Sequence, residues 1–187
     1  MVTPAVAAVP GIMQLESRRE TFHRLIEQYE PPLRRLARAY LRKAHDQEDL
    51  FQEIALALWQ AIPNFRGISS ERTWLYRIAH NVAISSSARL RRAVQQENPI
   101  RESFDPPSAS FGAEHELLDE EKRRLLVDSI RGLPATDRQI ILLHLENLSY
   151  AEIKEITGLS ETAVAARLTR IREKLKSTIR SREGGSP

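Results

Sequence analysis

The sequence predicts an all-α protein: two small helical domains joined by a flexible acidic linker. Three observations predict it. Apolar residues recur three and four apart along nearly every stretch outside residues 95–114, and no stretch alternates as a half-buried strand does. Residues 95–114 break the pattern with three prolines and several serines. The length, 187 residues, suffices for two small domains, each with a thin core.

Residues 1–17 are expected to be a disordered leader. The segment is apolar but carries two prolines and no basic start, so it does not read as a signal peptide, and Met13 is an alternative start. A helical stretch then runs from Arg18 to Lys43, with Phe22, Leu25, Ile26 and Tyr29 at helical spacing, followed by Leu33, Leu36, Tyr40 and Leu41. Pro31 and Pro32 are expected to break or kink it. Asp46 or Gln47 opens a second helix with Leu50, Ile54 and Leu58 on one stripe and Phe51, Ala55 and Trp59 beside it; Pro63 ends it. Residues 64–70 read as a loop. A third helix spans Glu71 to Val94, with Trp74, Leu75, Ile78, Ala79 and Val82 on its apolar side. The first domain is thus 18–94 and the linker 95–114.

The second domain, 115–182, is helical again, ahead of a short tail at 183–187. Leu117, Leu118, Leu125, Leu126 and Ile130 mark a helix stopped by Gly132 and Pro134. Thr136 with Gln139 has the pattern of a capping box, and so does Ser149 with Glu152. Gly158 supplies a positive φ after a short helix, and Ser160 caps the last one, where Val164, Leu168, Ile171 and Leu175 recur.

Composition narrows the chemistry. There is no cysteine, which excludes disulfides, thiolate metal sites and thiol nucleophiles. No segment approaches the apolar length of a membrane span. A Gly-rich phosphate loop, a paired-His metal motif and a nucleophile elbow are all missing, so neither an enzyme nor a cofactor or metal site is expected. His80 and His144 read as surface or structural residues. The net charge is only +3, but it is segregated. Six arginines face one acid between Arg66 and Arg92, eight acids face one arginine between Glu97 and Glu121, and seven basic residues face one acid between Arg167 and Arg182. Two basic patches separated by an acidic stretch suit DNA gripped at two places, with counterion release driving part of the binding.

The sharpest local signal is Ser149 to Lys176: a short capped helix, the turn Thr157-Gly158-Leu159-Ser160 and a longer basic helix make a helix-turn-helix. Ile153, Ile156, Leu159, Val164 and Leu168 would lock the two helices together, leaving the start of the second free to enter a major groove.

Together the two halves resemble the extracytoplasmic-function sigma factors of bacterial RNA polymerase. The residues that carry the resemblance are Asp49-Leu50-Phe51-Gln52-Glu53, Phe65-Arg66-Gly67 and Arg72-Thr73-Trp74-Leu75-Tyr76-Arg77-Ile78-Ala79-His80-Asn81, similar to the family's region 2. In the second half they are Leu133-Pro134, Leu148-Ser149-Tyr150-Ala151-Glu152-Ile153 and the segment Arg167 to Leu175, similar to region 4. The resemblance spans Thr21 to Ile179 and implies a cytoplasmic protein with three partners: core polymerase through its β′ and β subunits, promoter DNA, and an anti-sigma factor. It implies that Asp49, Leu50, Phe51, Gln52 and Glu53 dock on core. It places Asn64, Arg66, Trp74, Arg77, Asn81, Arg89, Arg91 and Arg92 on the −10 element, where a loop pocket captures an unstacked base. The spacing of Trp74 with Ile78 also reads as core packing. Ser160, Thr162, Arg167 and Arg170 would meet the −35 element.

Two departures stand out. The family's Thr-Val-Lys/Arg-Ser-Arg early in the recognition helix is Ala163-Val164-Ala165-Ala166-Arg167 here, and Ser85-Ser86-Ser87 replaces bulkier and basic residues after Asn81. A free-standing helix-turn-helix regulator, or a degenerate sigma that only binds proteins, are the alternative readings. With two groove-facing groups replaced by alanine, −35 reading is expected to be weak and to fall on Arg167, Arg170 and DNA shape. Scrambling the −35 element should therefore cost less transcription than scrambling the −10 element, and an equal loss would refute this.

Overall fold

The computed structural model describes residues 10–97 and 114–183. The expected leader up to residue 9, most of the linker and the tail beyond residue 183 lie outside the described residues. Helices α1 (Pro10–Tyr40), α2 (Ala44–Ala61) and α3 (Glu71–Glu97) form the first half, with a single 3₁₀ turn at Ile62–Asn64. The second half comprises α4 (Glu114–Arg131), α5 (Ala135–Leu145), α6 (Tyr150–Thr157) and α7 (Glu161–Glu183). No strand occurs among the described residues.

In the first half α2 packs on both α1 and α3, which also touch each other. Its stripe Leu50, Ile54 and Leu58 is wholly buried, against Leu25, Leu33 and Leu36 of α1 and Leu75, Ala79 and Ala83 of α3. Burying each of the larger side chains is worth about 1.5–3 kcal/mol. Phe51, Ile78 and Val82 pack partly buried around that stripe. Arg24 on α1 holds Glu71 in the first turn of α3 through two hydrogen bonds, of 2.8 and 2.5 Å. The guanidinium keeps the Glu71 carboxyl below its ordinary value, and the carboxylate also faces the positive end of the helix.

Of the two expected effects of the prolines, a break does not occur. Helix α1 runs through Pro31 and Pro32 and starts at Pro10, ahead of Arg18. The two missing N–H groups leave the carbonyls of Glu27 and Gln28 without their helical donors, at residues that face solvent. Leu25 before the prolines and Leu33, Leu36 and Ala37 after them all belong to one core. Tertiary burial of both runs offsets the cost of the lost bonds, as it does for most helices in proteins.

The second half packs α4, α5 and α6 against α7. The Thr136–Gln139 capping box does not form: α5 begins at Ala135, two residues earlier than that box would start it, after Pro134, and no side chain caps it. The fixed φ of Pro134 launches the helix and leaves Thr136 inside its first turn. Arg138 ties this start to the end of α4, donating to the carbonyls of Arg131 and Leu133. The second box does form. The Ser149 hydroxyl accepts from the Glu152 N–H at 3.2 Å, and the Glu152 carboxylate accepts from the Ser149 N–H at 2.7 Å. Gly158 ends α6 at φ 75°, and Ser160 caps α7 by accepting from the Ala163 N–H at 3.2 Å. Ile153, Ile156, Val164 and Leu168 are buried between the two helices, so the helix-turn-helix stands as read.

His80 is buried inside the first half, its Nδ1 3.2 Å from the Tyr40 hydroxyl. Burial pushes its pKa down to about 3, so the folded protein holds it neutral. The unfolded chain takes up that proton near pH 6.5, so the stabilising term is complete above pH 6.5 and shrinks as pH falls toward 3. The urea midpoint of the protein should therefore fall between pH 6.5 and 5, and His80→Gln, which keeps a partner for Tyr40 without titrating, should flatten that slope. Parallel slopes would refute the assignment.

Candidate nucleic-acid interface

The five residues Asp49 to Glu53 do not share one surface. Leu50 is core. Phe51 is half-buried beneath the Arg34 guanidinium, which sits 4.3 Å from its ring centre and also binds Glu30 and Glu48. Glu53 is paired with Arg89 of α3. Asp49 and Gln52 point outward, and Leu56, 57% exposed, continues their stripe at helical spacing. Leu56 went unnoticed in the sequence. The available signal was an apolar residue four positions after Gln52 and off the 50/54/58 stripe.

The loop after α2 turns at Gly67, φ 68°, a left-handed conformation that glycine adopts without strain. Ser70 then caps α3, its hydroxyl accepting from the Thr73 N–H at 3.1 Å. This start aims Trp74 and Arg77 toward the loop, and together they enclose a cleft of about 420 Å³. Phe65 and Trp74 form its apolar wall, with ring centres 4.8 Å apart. Arg66, Asn64 and Arg77 line it with polar groups. The Arg77 Nε is buried and has no hydrogen-bond partner among the described residues. Neither Arg66 nor Arg77 pairs with an acid among the described residues. The cleft thus combines flat apolar rings with cations that make no ion pair among the described residues, which suits an unstacked base and its phosphate.

The remaining basic residues of α3 lie farther along the helix. Asn81 is exposed about one turn beyond Arg77. Arg89, Arg91 and Arg92 begin about 18 Å beyond Arg77 along the axis. Arg91 and Arg92 donate back to the carbonyls of Ser87 and Ala88. Ser86 and Ser87, which depart from the family pattern, are buried.

The two halves touch, and Glu146 is the centre of the contact. It follows α5, in a turn where Asn147 takes φ 59°. Arg35 of α1 grips its carboxylate with two hydrogen bonds, of 2.9 and 2.8 Å. The Tyr76 hydroxyl donates to it at 3.4 Å, and Arg72 donates to its backbone carbonyl at 2.9 Å. Arg131 donates to the Arg38 carbonyl at 2.8 Å, and Arg138 lies 5.2 Å from the Tyr40 ring centre. Helix α6 packs on α3, and its Glu155 lines the cleft beside Arg77. Arg35, Arg72, Tyr76, Glu146 and Glu155 went unassigned in the sequence, because partners far apart along the chain, 70 to 111 residues for those bonded to Glu146, leave no local pattern.

On α7 the nominated residues divide. Ser160 is consumed as the helix cap. Thr162 and Arg170 are exposed. Arg167 is partly buried and bonded at 2.8 Å to Asp137 in the first turn of α5. Among the described residues no cluster of His, Asp or Glu has the makings of a metal site.

Comparison with known proteins agrees with this architecture. Residues 25–93 match the family model Sigma-70 region 2, and residues 123–175 match Sigma-70, region 4. The chain is 31% identical over 170 residues to the ECF RNA polymerase sigma-E factor of Haemophilus influenzae, covering 86% of this chain and 88% of that protein. It is 32% identical over 167 residues to the sigma-E factor of Escherichia coli, covering 86% and 87%. Two solved structures share the fold. One is the sigma factor RpoE in complex with the anti-sigma factor NepR from Bartonella quintana, with a TM-score of 0.68, 23% identity, and coverage of 86% of this chain and 98% of that one. The other is CnrH in complex with the cytosolic domain of CnrY, with a TM-score of 0.63, 21% identity, and coverage of 87% and 90%. With both halves matched in order and the whole arrangement shared, the chain belongs to the extracytoplasmic-function (ECF) RNA polymerase sigma factors and works in transcription initiation.

Proposed function

We propose that the chain docks on core RNA polymerase through the Asp49, Gln52 and Leu56 face of α2, captures an unstacked base of the −10 element in the cleft beside α3, and lays α7 against the −35 element. The observation that carries this is the cleft itself. It joins the Phe65 and Trp74 rings to a buried Arg77 Nε that has no partner among the described residues. A buried unpaired donor is costly, and a phosphate or base acceptor would satisfy it. Asn81, one turn on, offers an amide to a base edge, and Arg89, Arg91 and Arg92 lie where the strand's phosphates would run. The work is binding and positioning, in the cytoplasm, without a cofactor. No helix of the described residues is long and apolar enough to cross a membrane. An anti-sigma factor is the expected regulator, by analogy with the similarly folded RpoE and its partner NepR.

The arrangement with Glu146 engaged is a closed one, since Arg72 and Tyr76 lie on the same helix as Arg77, and Glu155 stands at the cleft. Promoter capture requires α6 to leave α3.

Run-off transcription by core polymerase, with and without the chain, on a pool of promoter fragments tests the reading. New protein-dependent start sites are expected. A stable core complex without transcripts would indicate an interaction module; neither would indicate a free-standing regulator. Arg77→Ala should lower transcription about ten-fold while core binding stays intact, the scale of one charged hydrogen bond. Glu146→Lys should increase the radius of gyration in small-angle scattering and strengthen binding of a single-stranded −10 oligonucleotide by the free protein several-fold. Unchanged values of both would show that Glu146 does not hold the halves closed.

A further inference from the structure

We propose that α7 reads its half-site chiefly through thymine methyl groups, and that Asp137 acts as a positioning residue by holding Arg167 out of the groove. The inference rests on the assignment of α7 to the −35 element. The core side of α7 is Val164, Leu168, Ile171 and Leu175, all buried. Directly opposite run Thr162, Ala166 and Thr169, each exposed and spaced four and three residues apart, with Arg170 beside them. This face would meet the floor of a major groove.

Its chemistry is unusually apolar for that task. The Thr169 hydroxyl donates to the Ala165 carbonyl at 3.2 Å, and the Thr162 hydroxyl is bonded to that of Ser160 at 3.0 Å. The Thr169 donor is engaged within the chain and the Thr162 hydroxyl is bonded to Ser160, so each threonine offers a base its methyl beside an oxygen already partly engaged. Ala166 offers only a methyl. Arg167 lies on the flank nearer α5, where Asp137 takes its guanidinium at 2.8 Å. The same carboxylate adds a negative charge there, which opposes approach of a phosphate. Thymine alone among the DNA bases carries a methyl in the major groove, and alanine and threonine methyls are its natural contacts. Burying one methyl corresponds to about a four-fold change in binding.

The test uses polymerase reconstituted with the full chain on a promoter obtained by run-off. Each −35 thymine is replaced singly by deoxyuridine, which removes the methyl and keeps every hydrogen-bonding group. Initiation should fall about four-fold at two or three positions, and Thr169→Ser should abolish the penalty at one of them. Separately, Asp137→Asn should release Arg167 to a phosphate and steepen the dependence of log affinity on log salt by about one. Deoxyuridine tolerated throughout, a −35 element lacking thymine, or a penalty indifferent to Thr169→Ser would each overturn methyl reading while transcription persists. An unchanged salt slope in Asp137→Asn would overturn the role of Asp137. Loss of all core-dependent transcription with the unaltered promoter would instead overturn the sigma assignment beneath it.

Discussion

Helix α3 must serve two masters, and the rest of the protein follows from how it does so. One side, Leu75, Ala79 and Ala83, is sealed against the stripe Leu50, Ile54 and Leu58 of α2. Arg77 projects nearly opposite that seam, toward the loop, where its guanidinium stays clear of the α2 core. Rotation is therefore fixed by packing, and with it the direction of Trp74, Arg77 and Asn81. The Arg24–Glu71 pair and the Ser70 cap fix the beginning of the helix, so the loop with Gly67 closes over the same two side chains each time. The buried His80 adds to the same seal, neutral beside Tyr40, as close packing demands.

The second constraint is charge. Segregation along the chain gives two basic patches, yet several of the arginines are spoken for inside the protein. Arg89 meets Glu53, Arg34 meets Glu30 and Glu48, Arg35 meets Glu146, and Arg167 meets Asp137. Exposed pairs of this kind contribute little stability each. Their larger effect is to select which cations remain available: Arg66, Arg77, Arg91, Arg92 and Arg170 have no acid partner among the described residues, whereas Arg89 reaches a phosphate only by leaving the exposed Glu53. The contact at Glu146 is built from the same material. Being polar and partly exposed, it is a joint that a competing charge or a tight partner can open, unlike an apolar interface of the same size.

Alanine in the recognition helix looks like loss when read as missing hydrogen bonds. On the structure it is a change of surface: small methyl-bearing residues follow one another on the outward face, while the retained Arg167 faces sideways. Groove recognition can proceed with few hydrogen bonds when shape and methyl contacts are matched.

By itself the sequence determined the all-α class, the two halves, the α2 stripe, the Ser149–Glu152 box, the Gly158 turn and the family, because each depends on spacing within one or two helical turns. A helix break at Pro31–Pro32 and a cap at Thr136, both suggested by local propensity, do not occur, because burial on both sides of the prolines and the fixed dihedral of Pro134 outweigh it. Tertiary structure alone decided which of Asp49 to Glu53 face out, that Leu56 joins them, and that Arg77 lines a cleft with a donor to spare. It also decided that Arg167 belongs to Asp137 and that Glu146 joins the halves. These are pairings between residues distant in sequence. The identity of a charged residue says that it needs a partner, and only the packing of the helices says which partner comes within reach.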